Sequence, residues 1–276
     1  MIGLLRLCRL YYTVPFSLGY LLILFYALGG RMEGRWAGAA VSTLALGLVI
    51  AAGYVLNDLF DVAVDRENAP RRPLVSGEVS RRTAILSGAA LLAAGLALAA
   101  SCRWQFAAGL GAVAGALVLY DLFSKRLGRA KQLAVAALMV SLYPLAFAQA
   151  GGVSGPRAAS LATFPVWLFL TTFGYEVLKD LRDAAGDARV EGSNALHRNP
   201  KRWRLVASVA IAGATPIALL PYWQGCHGVY LAIAGVGIAA GIASVLFDTR
   251  RAIVATYADV VLVASAATAD VIVHGM

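Results

Sequence analysis

The sequence is poor in charged residues, which occupy only 14% of its 276 positions. A soluble domain carries roughly 25%, so a water-soluble enzyme of ordinary composition, a disordered chain and a nucleic-acid-binding domain are excluded. Cysteine is also scarce. Cys8, Cys102 and Cys226 are too few and too far apart for a disulfide framework or a zinc site. What remains is a strongly apolar chain, with 60% hydrophobic residues and a mean hydropathy of +0.72.

Long stretches without charged residues indicate helices that cross a membrane. Such a helix needs about 20 apolar residues to cross the hydrocarbon core. The uncharged or almost uncharged stretches are residues 10–30, 36–57, 83–102, 104–120, 132–156, 158–175, 205–247 and 252–276. The stretch 205–247 is long enough for two spans, with a break at 221–228. The sequence therefore predicts an all-α fold, a polytopic membrane bundle of nine transmembrane helices that forms a single domain over residues 1–276.

The distribution of basic residues predicts the orientation of these helices. With the N-terminus in the cytoplasm, all but four of the 24 lysines and arginines lie on the cytoplasmic side. The four exceptions are Arg31, Arg35, Arg103 and Arg157. This bias satisfies the positive-inside rule, and attraction to anionic membrane lipid accounts for part of the net charge of +9. We therefore expect a protein of the cell inner membrane whose C-terminus lies outside.

Two segments repeat one pattern of acidic residues. The spacing D-x-x-D-x-x-x-D occurs twice, at Asp58, Asp61 and Asp65 and again at Asp180, Asp183 and Asp187. Asn57 precedes the first copy and Lys179 the second, so we call residues 57–65 the first motif and residues 179–187 the second motif. At 100° per residue each set falls within about a third of a helix circumference. Each motif also lies at the cytoplasmic end of a predicted span.

Carboxylates at helical neighbour spacing repel one another, so a positive partner must offset them. Hard divalent cations prefer carboxylate oxygens, and Mg²⁺ usually takes one or two carboxylates together with substrate phosphate oxygens. Two facing acidic stripes are therefore expected to cage Mg²⁺ and a polyphosphate, with nearby basic residues such as Arg71 and Arg72 on the phosphates. The alternative is that these acids are helix-end charges paired with local arginines. Two copies at one spacing on one side of the membrane favour the metal site.

These residues resemble the motifs of the UbiA superfamily of intramembrane prenyltransferases. The first motif, with the R-P-L and S-G at 72–77, matches the family's N-D-x-x-D-x-x-x-D region. Residues 175–187 match its Y-x-x-x-K-D-x-x-D-x-x-G-D, and Tyr120 with Lys125 resembles the Y-x-x-x-x-K that lies between the two. Nine spans agree with the family's nine-helix fold, so the resemblance covers the chain from end to end.

The resemblance implies that two Mg²⁺ ions bind an isoprenyl diphosphate and assist the departure of pyrophosphate, and that a lipophilic acceptor in a central cavity captures the allylic cation. It implies a metal site formed by Asn57, Asp58, Asp61, Asp65, Asp180, Asp183 and Asp187. It implies a diphosphate site formed by Asn57, Arg9, Asn68, Arg72, Tyr120, Lys125, Tyr175 and Lys179. The six aspartates and Lys179 are the expected catalytic residues, and Lys179 is expected to contact the diphosphate directly.

The acceptor is less defined than the diphosphate chemistry. The E-x-x-K-D form of the second motif, from Glu176 to Asp180, is similar to that of archaeal-type digeranylgeranylglyceryl phosphate synthases, which transfer geranylgeranyl to an ether-lipid glycerol. An aromatic-acceptor prenyltransferase for quinones or pigments and a UbiA-type terpene cyclase stay open. From another class, a divalent-cation transporter also combines internal repeats with membrane-embedded acids. The motifs lie at the membrane edge and beside basic residues that would repel a bare cation, which argues against a transporter.

Two further acids, Asp259 and Asp270, lie inside the last predicted span. Burial of a lone carboxylate is costly. We therefore expect Asp270, near the outer end, to be solvated, and Asp259 to be the better candidate for a pocket.

Overall fold

The computed structural model describes residues 2–153, 157–191 and 195–275, and every regular element within them is a helix. In chain order, the helices α1 to α13 are Ile2–Leu7, Leu10–Ala27, Trp36–Phe60, Val62–Asn68, Arg81–Ala99, Trp104–Leu127, Lys131–Val140, Leu142–Ala150, Ala158–Glu191, Ala195–Arg198, Pro200–Trp223, Gly228–Ser244 and Thr249–His274. A short 3-10 helix, Gly128–Ala130, joins α6 to α7. The predicted all-α polytopic bundle is confirmed.

Eight helical segments of the described residues are long and apolar enough to cross a membrane, and α7 and α8 together form one of them. The chain is an integral membrane protein. The expected number of nine spans is one too high by this measure, because α12 has only 17 residues. With a rise of about 1.5 Å per residue, α12 is about 26 Å long, slightly shorter than the hydrocarbon core of roughly 30 Å.

The chain divides into two compact units. Unit 1 comprises Met1–Leu21, Glu33–Gly128 and Ala185–Gly192. Its centre is α3, which packs against α5 and α6. A glycine permits the close approach of α3 and α5, since a Cβ at Gly95 would lie 2.9 Å from the carbonyl oxygen of Ala45. The short helix α1 is anchored by Leu7, which is buried with Val55 and Val79.

Unit 2 comprises Leu22–Met32, Arg129–Ala184 and Ser193–Met276. Helices α12 and α13 form its most closely packed pair. Its core contains an aromatic cluster of Tyr26, Phe164, Trp167 and Tyr230, whose rings meet edge to face. Such contacts between rings add to the stabilisation that comes from their burial.

Asp270 is completely buried in unit 2, so the expectation that it is solvated was wrong. Its Oδ2 lies 2.9 Å from the Arg157 guanidinium. Its Oδ1 accepts the backbone N–H of His227 at 2.9 Å and that of Tyr230 at 3.4 Å. Asp270 of α13 therefore caps the N-terminus of α12, and the ion pair with Arg157 compensates the charge that burial would otherwise leave unpaired. Asp259 is also buried, against Gly241 of α12.

The first motif crosses a break between two helices. Helix α3 ends at Phe60 and α4 begins at Val62, so Asp61 lies between them with φ −98° and ψ 9°. The Asp61 N–H still donates to the Asn57 carbonyl at 2.9 Å, and the Asp65 N–H donates to the Asp61 carbonyl at 2.8 Å. The expected single helix is therefore interrupted at Asp61. The helical hydrogen-bond spacing continues through the break and keeps the acids near one face.

The second motif lies inside α9, a helix of 34 residues. Its residues up to Ala184 belong to unit 2, and those from Ala185 onward belong to unit 1. Asp180 and Asp183 are thus part of unit 2, while Asp187 is part of unit 1.

Candidate active site

Two carboxylates of the first motif are buried and paired with arginines in unit 1. Asp58 and Asp65 are only 2% and 4% exposed. Arg9 forms an ion pair with Asp58, and Arg72 forms one with Asp65 and a second, at 3.3 Å, with Asp58. Buried charges of one sign need such partners. Arg9 lies between α1 and α2 and has a left-handed backbone conformation, with φ 45°. Among the described residues, it is the only one other than glycine with a positive φ.

Burial raises the pKa of Asp65 to about 6. The Arg72 guanidinium acts in the opposite direction, and the neighbouring Asp58 and Asp61 raise the pKa further. Burial is the main cause of the raised pKa and repulsion from the two neighbouring acids a smaller one, so a cation bound here would favour the charged form of Asp65.

Asn57 links the remaining carboxylates of this cluster. Its amide donates to Asp61 at 3.0 Å and lies 3.5 Å from Asp121 of α6. Asp121 is 5% exposed, and sequence reasoning missed it as a site residue. The signal for it was available, because an acid next to Tyr120 at the end of an apolar span is a functional candidate by default.

The end of the second motif contacts α4, the helix that contains Asp65 of the first motif, in unit 1. The Asn68 amide, at the end of α4, donates to Asp187 of the second motif at 2.6 Å. Gly186 makes this approach possible, because a Cβ there would collide with the Asn68 side chain. A second contact, the ion pair between Arg189 and Glu67 at 3.0 Å, lies beside it. The end of the second motif therefore packs against α4, the helix that contains Asp65.

The other acids of the second motif make contacts within unit 2. Asp180 accepts a hydrogen bond from the Gln132 amide at 2.7 Å, and the ammonium of Lys131 lies 3.6 Å away. Asp183 accepts two hydrogen bonds from the adjacent Arg182, at 2.8 and 2.7 Å. The partner of Asp183 is therefore a local arginine, as the alternative interpretation of the motifs expected.

Lys179 donates to both carboxylate oxygens of Glu176, at 2.8 and 3.0 Å, and lies 5.6 Å from the centre of the Tyr175 ring. These contacts hold its ammonium on the side of α9 that bears Glu176. Tyr120 is half-buried in α6. The Lys125 side chain, also expected at the diphosphate, lies outside the described residues.

The donors in both units fit a hard divalent cation. The aspartates of both motifs, with Asn57 and Gln132, supply carboxylate and amide oxygens, which are the ligands that Mg²⁺ prefers. Beside Asp180, Gln132 is 6% exposed, and its Oε1 accepts no hydrogen bond from the part of the chain that the structure describes. A buried oxygen without a donor needs an explanation such as a bound ion. This residue was not among the expected ligands.

A cavity of about 750 Å³ opens beside the first motif in unit 1. Its lining includes Asp58 and Asn68 together with four arginines, namely Arg6, Arg9, Arg71 and Arg72. An anion in this cavity could therefore accept hydrogen bonds from guanidinium groups close to the carboxylates of the first motif.

Comparison with known proteins identifies a matching family. The model of the UbiA prenyltransferase family matches residues 16–257. Digeranylgeranylglyceryl phosphate synthase of Methanoregula boonei is 35% identical over 212 residues, which cover 75% of this chain and 71% of that protein. The Halobacterium salinarum protein of the same name is 34% identical over 241 residues, covering 84% of this chain and 82% of its own.

Solved structures share the fold. A structure described as digeranylgeranylglyceryl phosphate synthase in membranes superposes with a TM-score of 0.74 at 21% identity, covering 98% of each chain. A UbiA homolog from Archaeoglobus fulgidus bound to GPP and Mg²⁺ superposes with a TM-score of 0.67 at 17% identity, covering 98% of this chain and 99% of the other.

Proposed function

The chain belongs to the UbiA prenyltransferase family, and on this premise we propose that it transfers an isoprenyl group from an isoprenyl diphosphate to a glycerophosphate ether lipid, with geranylgeranyl as the transferred group. The protein is an integral-membrane prenyltransferase that uses a divalent cation. Membership in this family decides against the divalent-cation transporter.

The observation that carries the proposal is the hydrogen bond between Asn68 and Asp187. It brings Asp187 of the second motif to the end of α4, three residues after Asp65 of the first motif and four residues before Arg72. Carboxylates next to guanidinium groups suit a diphosphate bound through metal ions. A bare cation would not need the arginines.

We assign the metal site to the residues expected from the sequence, with two Mg²⁺ ions. Asn57, Asp58, Asp61 and Asp65 would hold one ion, and Asp180, Asp183 and Asp187 the other, with Asp121 and Gln132 as additional oxygen donors. Bound Mg²⁺ neutralises the charge that develops on the departing diphosphate.

The arginines and the lysine act on the diphosphate itself. Arg9 is ion-paired with Asp58, and Arg72 is ion-paired with Asp65. The planar guanidinium group of each arginine can donate two parallel hydrogen bonds to phosphate oxygens. Asn68 positions Asp187. Lys179, Tyr175, Tyr120 and Lys125 complete the proposed diphosphate site, and there Lys179 would exchange Glu176 for a phosphate oxygen.

We further propose that the two units act as one transferase domain, in the inner membrane, with the N-terminus and the active site in the cytoplasm and the C-terminus outside. The charge bias of the loops supports this orientation. It requires α12 to cross the membrane, and its 17 residues lie at the lower limit of about 17 that a spanning helix needs.

The test is a transfer assay with purified protein, Mg²⁺ and geranylgeranyl diphosphate. The acceptors are geranylgeranylglyceryl phosphate, an aromatic acid such as 4-hydroxybenzoate, or none, and the products are identified by mass spectrometry. We expect prenylation of the glycerophosphate lipid, which EDTA stops and Mg²⁺ restores. Prenylation of the aromatic acid alone, or a cyclised hydrocarbon without acceptor, would show that the acceptor assignment is wrong.

Variants test the metal site in the same assay. Asp61→Ala and Asp183→Ala should each abolish transfer, while the protein stays folded and inserted in the membrane. Glu33→Ala removes an exposed acid outside both motifs and should leave transfer unchanged. Near-normal activity of either motif variant would contradict the assignment.

A further inference from the structure

The cavity beside the first motif is lined by two kinds of side chain. One kind is the four arginines described above. The other is the apolar group of Ile2, Leu5, Leu10 and Tyr11, all of them exposed. A cavity lined by both cationic and apolar side chains fits an amphiphile that has an anionic head and a hydrocarbon tail.

The arginines of this cavity fall into two pairs. Arg9 and Arg72 are ion-paired with Asp58 and Asp65 of the first motif, so they belong to the proposed diphosphate site. Arg6 and Arg71 lie on the same cavity but contact no acid of either motif in the described residues. The sequence suggested Arg71 as well as Arg72 for the polyphosphate, but in the described residues only Arg72 of these two is paired with the first motif.

Arg6 is held in place by two contacts. Its guanidinium donates to the Glu78 carboxylate at 2.6 Å and to the Arg71 carbonyl at 2.7 Å. Helix α1 is packed closely at this point, since a Cβ at Gly3 would lie 2.9 Å from Glu78. The ion pair is half-exposed, and an exposed pair contributes little to stability, on the order of 0–1 kcal/mol. The ion pair of Arg6 with Glu78 therefore contributes little to the stability of the folded protein, and its position at the cavity is better explained by ligand binding.

Arg71 is exposed, and within the described ranges its guanidinium has no ion-pair partner. Each of the other three arginines of the cavity has a carboxylate. The cavity therefore has one positive charge in excess at Arg71, next to the fixed guanidinium of Arg6. A phosphomonoester is an anion with several acceptor oxygens that two guanidinium groups bind well.

We propose that Arg6 and Arg71 bind the phosphate of the acceptor lipid, whose hydrocarbon tail contacts the exposed apolar side chains of α1 and of the start of α2. This inference rests on the proposed function, because it names the place where the phosphorylated acceptor is recognised. Each of the two anionic groups would then have its own pair of arginines. Arg9 and Arg72 would bind the diphosphate, and Arg6 and Arg71 would bind the acceptor phosphate.

The experiment compares two acceptors that differ only in the phosphate, geranylgeranylglyceryl phosphate and geranylgeranylglycerol, at saturating geranylgeranyl diphosphate and Mg²⁺. Arg71→Ala should raise the KM for the phosphorylated acceptor about tenfold, the effect of one lost charge-assisted hydrogen bond. The KM for the neutral acceptor and that for geranylgeranyl diphosphate should not change. Arg71→Lys should restore binding in part, and Arg6→Gln should act like Arg71→Ala.

The control is Arg81→Ala, which removes an exposed arginine that does not line the cavity and should leave every KM unchanged. Equal effects of Arg71→Ala on both acceptors, or no effect on either, would overturn the inference and leave the proposed function standing. If the wild-type protein failed to prenylate the phosphorylated acceptor, the proposed function would fall, and the inference with it.

A membrane-lipid headgroup is the other source of the same phosphate chemistry. The assay is therefore repeated in neutral detergent and in nanodiscs that contain phosphatidylglycerol. If the site served bulk lipid, Arg71→Ala would alter activity with both acceptors, and only in the anionic nanodiscs. A selective loss with the phosphorylated acceptor in neutral detergent supports the acceptor site.

Discussion

Gly186 is the position where one methyl group should disrupt the junction of the two motifs. In Gly186→Ala the new Cβ would occupy the volume of the Asn68 side chain. Asn68 would have to move, and its hydrogen bond to Asp187, 2.6 Å in the native protein, would break. Because the substitution adds only one carbon to a helix, its effect reports this single contact.

The magnitude follows from two opposing terms. Replacing glycine by alanine inside a helix stabilises the protein by roughly 0.5–1 kcal/mol. Loss of a hydrogen bond to a charged acceptor costs roughly 1.5–3 kcal/mol. Because the loss is localised at Asp187, we expect the kcat/KM of prenyl transfer to fall roughly 10- to 100-fold and the Mg²⁺ requirement to rise. The melting temperature should change little.

Gly115→Ala is the matched control. Gly115 lies in α6 of the same unit, and a Cβ there would meet no atom within 4 Å, so activity should be retained and the helix should gain stability. A double-mutant cycle completes the test. Asn68→Ala should lower activity by a similar factor, and adding Gly186→Ala to it should cost little more, because the colliding side chain is gone. Wild-type activity of Gly186→Ala, or additive losses in the cycle, would refute the reasoning.

Three other predictions concern the rest of the molecule. Lys179→Ala should lower kcat by about 100-fold, or about 2.7 kcal/mol, with an unchanged Mg²⁺ requirement in steady-state kinetics; the opposite pattern would show that the lysine only orders the acids of α9. In a cysteine-free background, a probe cysteine at Gly225 should label from outside and one at Phe247 from the cytoplasm, whereas labelling of both from one side would show that α12 does not cross. Asp270→Ala should leave the buried Arg157 without its carboxylate partner, at a cost of roughly 3–5 kcal/mol, and an unchanged melting temperature would contradict this.

Local patterns in the sequence were sufficient for much of the fold. Runs of apolar residues predicted the positions of the spans, because crossing a bilayer is a requirement on consecutive residues. The one difference, at α12, arises where the connecting turn leaves a helix of only 17 residues. Likewise, the acids of the first motif share one face, because the interval between them is helical and the backbone hydrogen bonds continue through the break at Asp61.

Contacts between distant residues were not predictable in this way. Asp121 joins the carboxylates through Asn57, 64 positions away in sequence, and Asn68 reaches Asp187 across 119 positions. The spacing of either motif contains no information on such partners. The same holds for Asp270, whose expected solvation assumed that no cation was close enough to make burial favourable.

By itself, the sequence determined which stretches are long and apolar enough to cross a membrane, which acids repeat at one spacing and which ligands those acids suit. Each of these depends on composition or on intervals along one helix. The tertiary structure decided which arginine binds which carboxylate, and it decided that the end of the second motif lies on Asn68. The physical reason is that ion pairing and close packing depend on distance in space, which helix packing sets and local spacing does not.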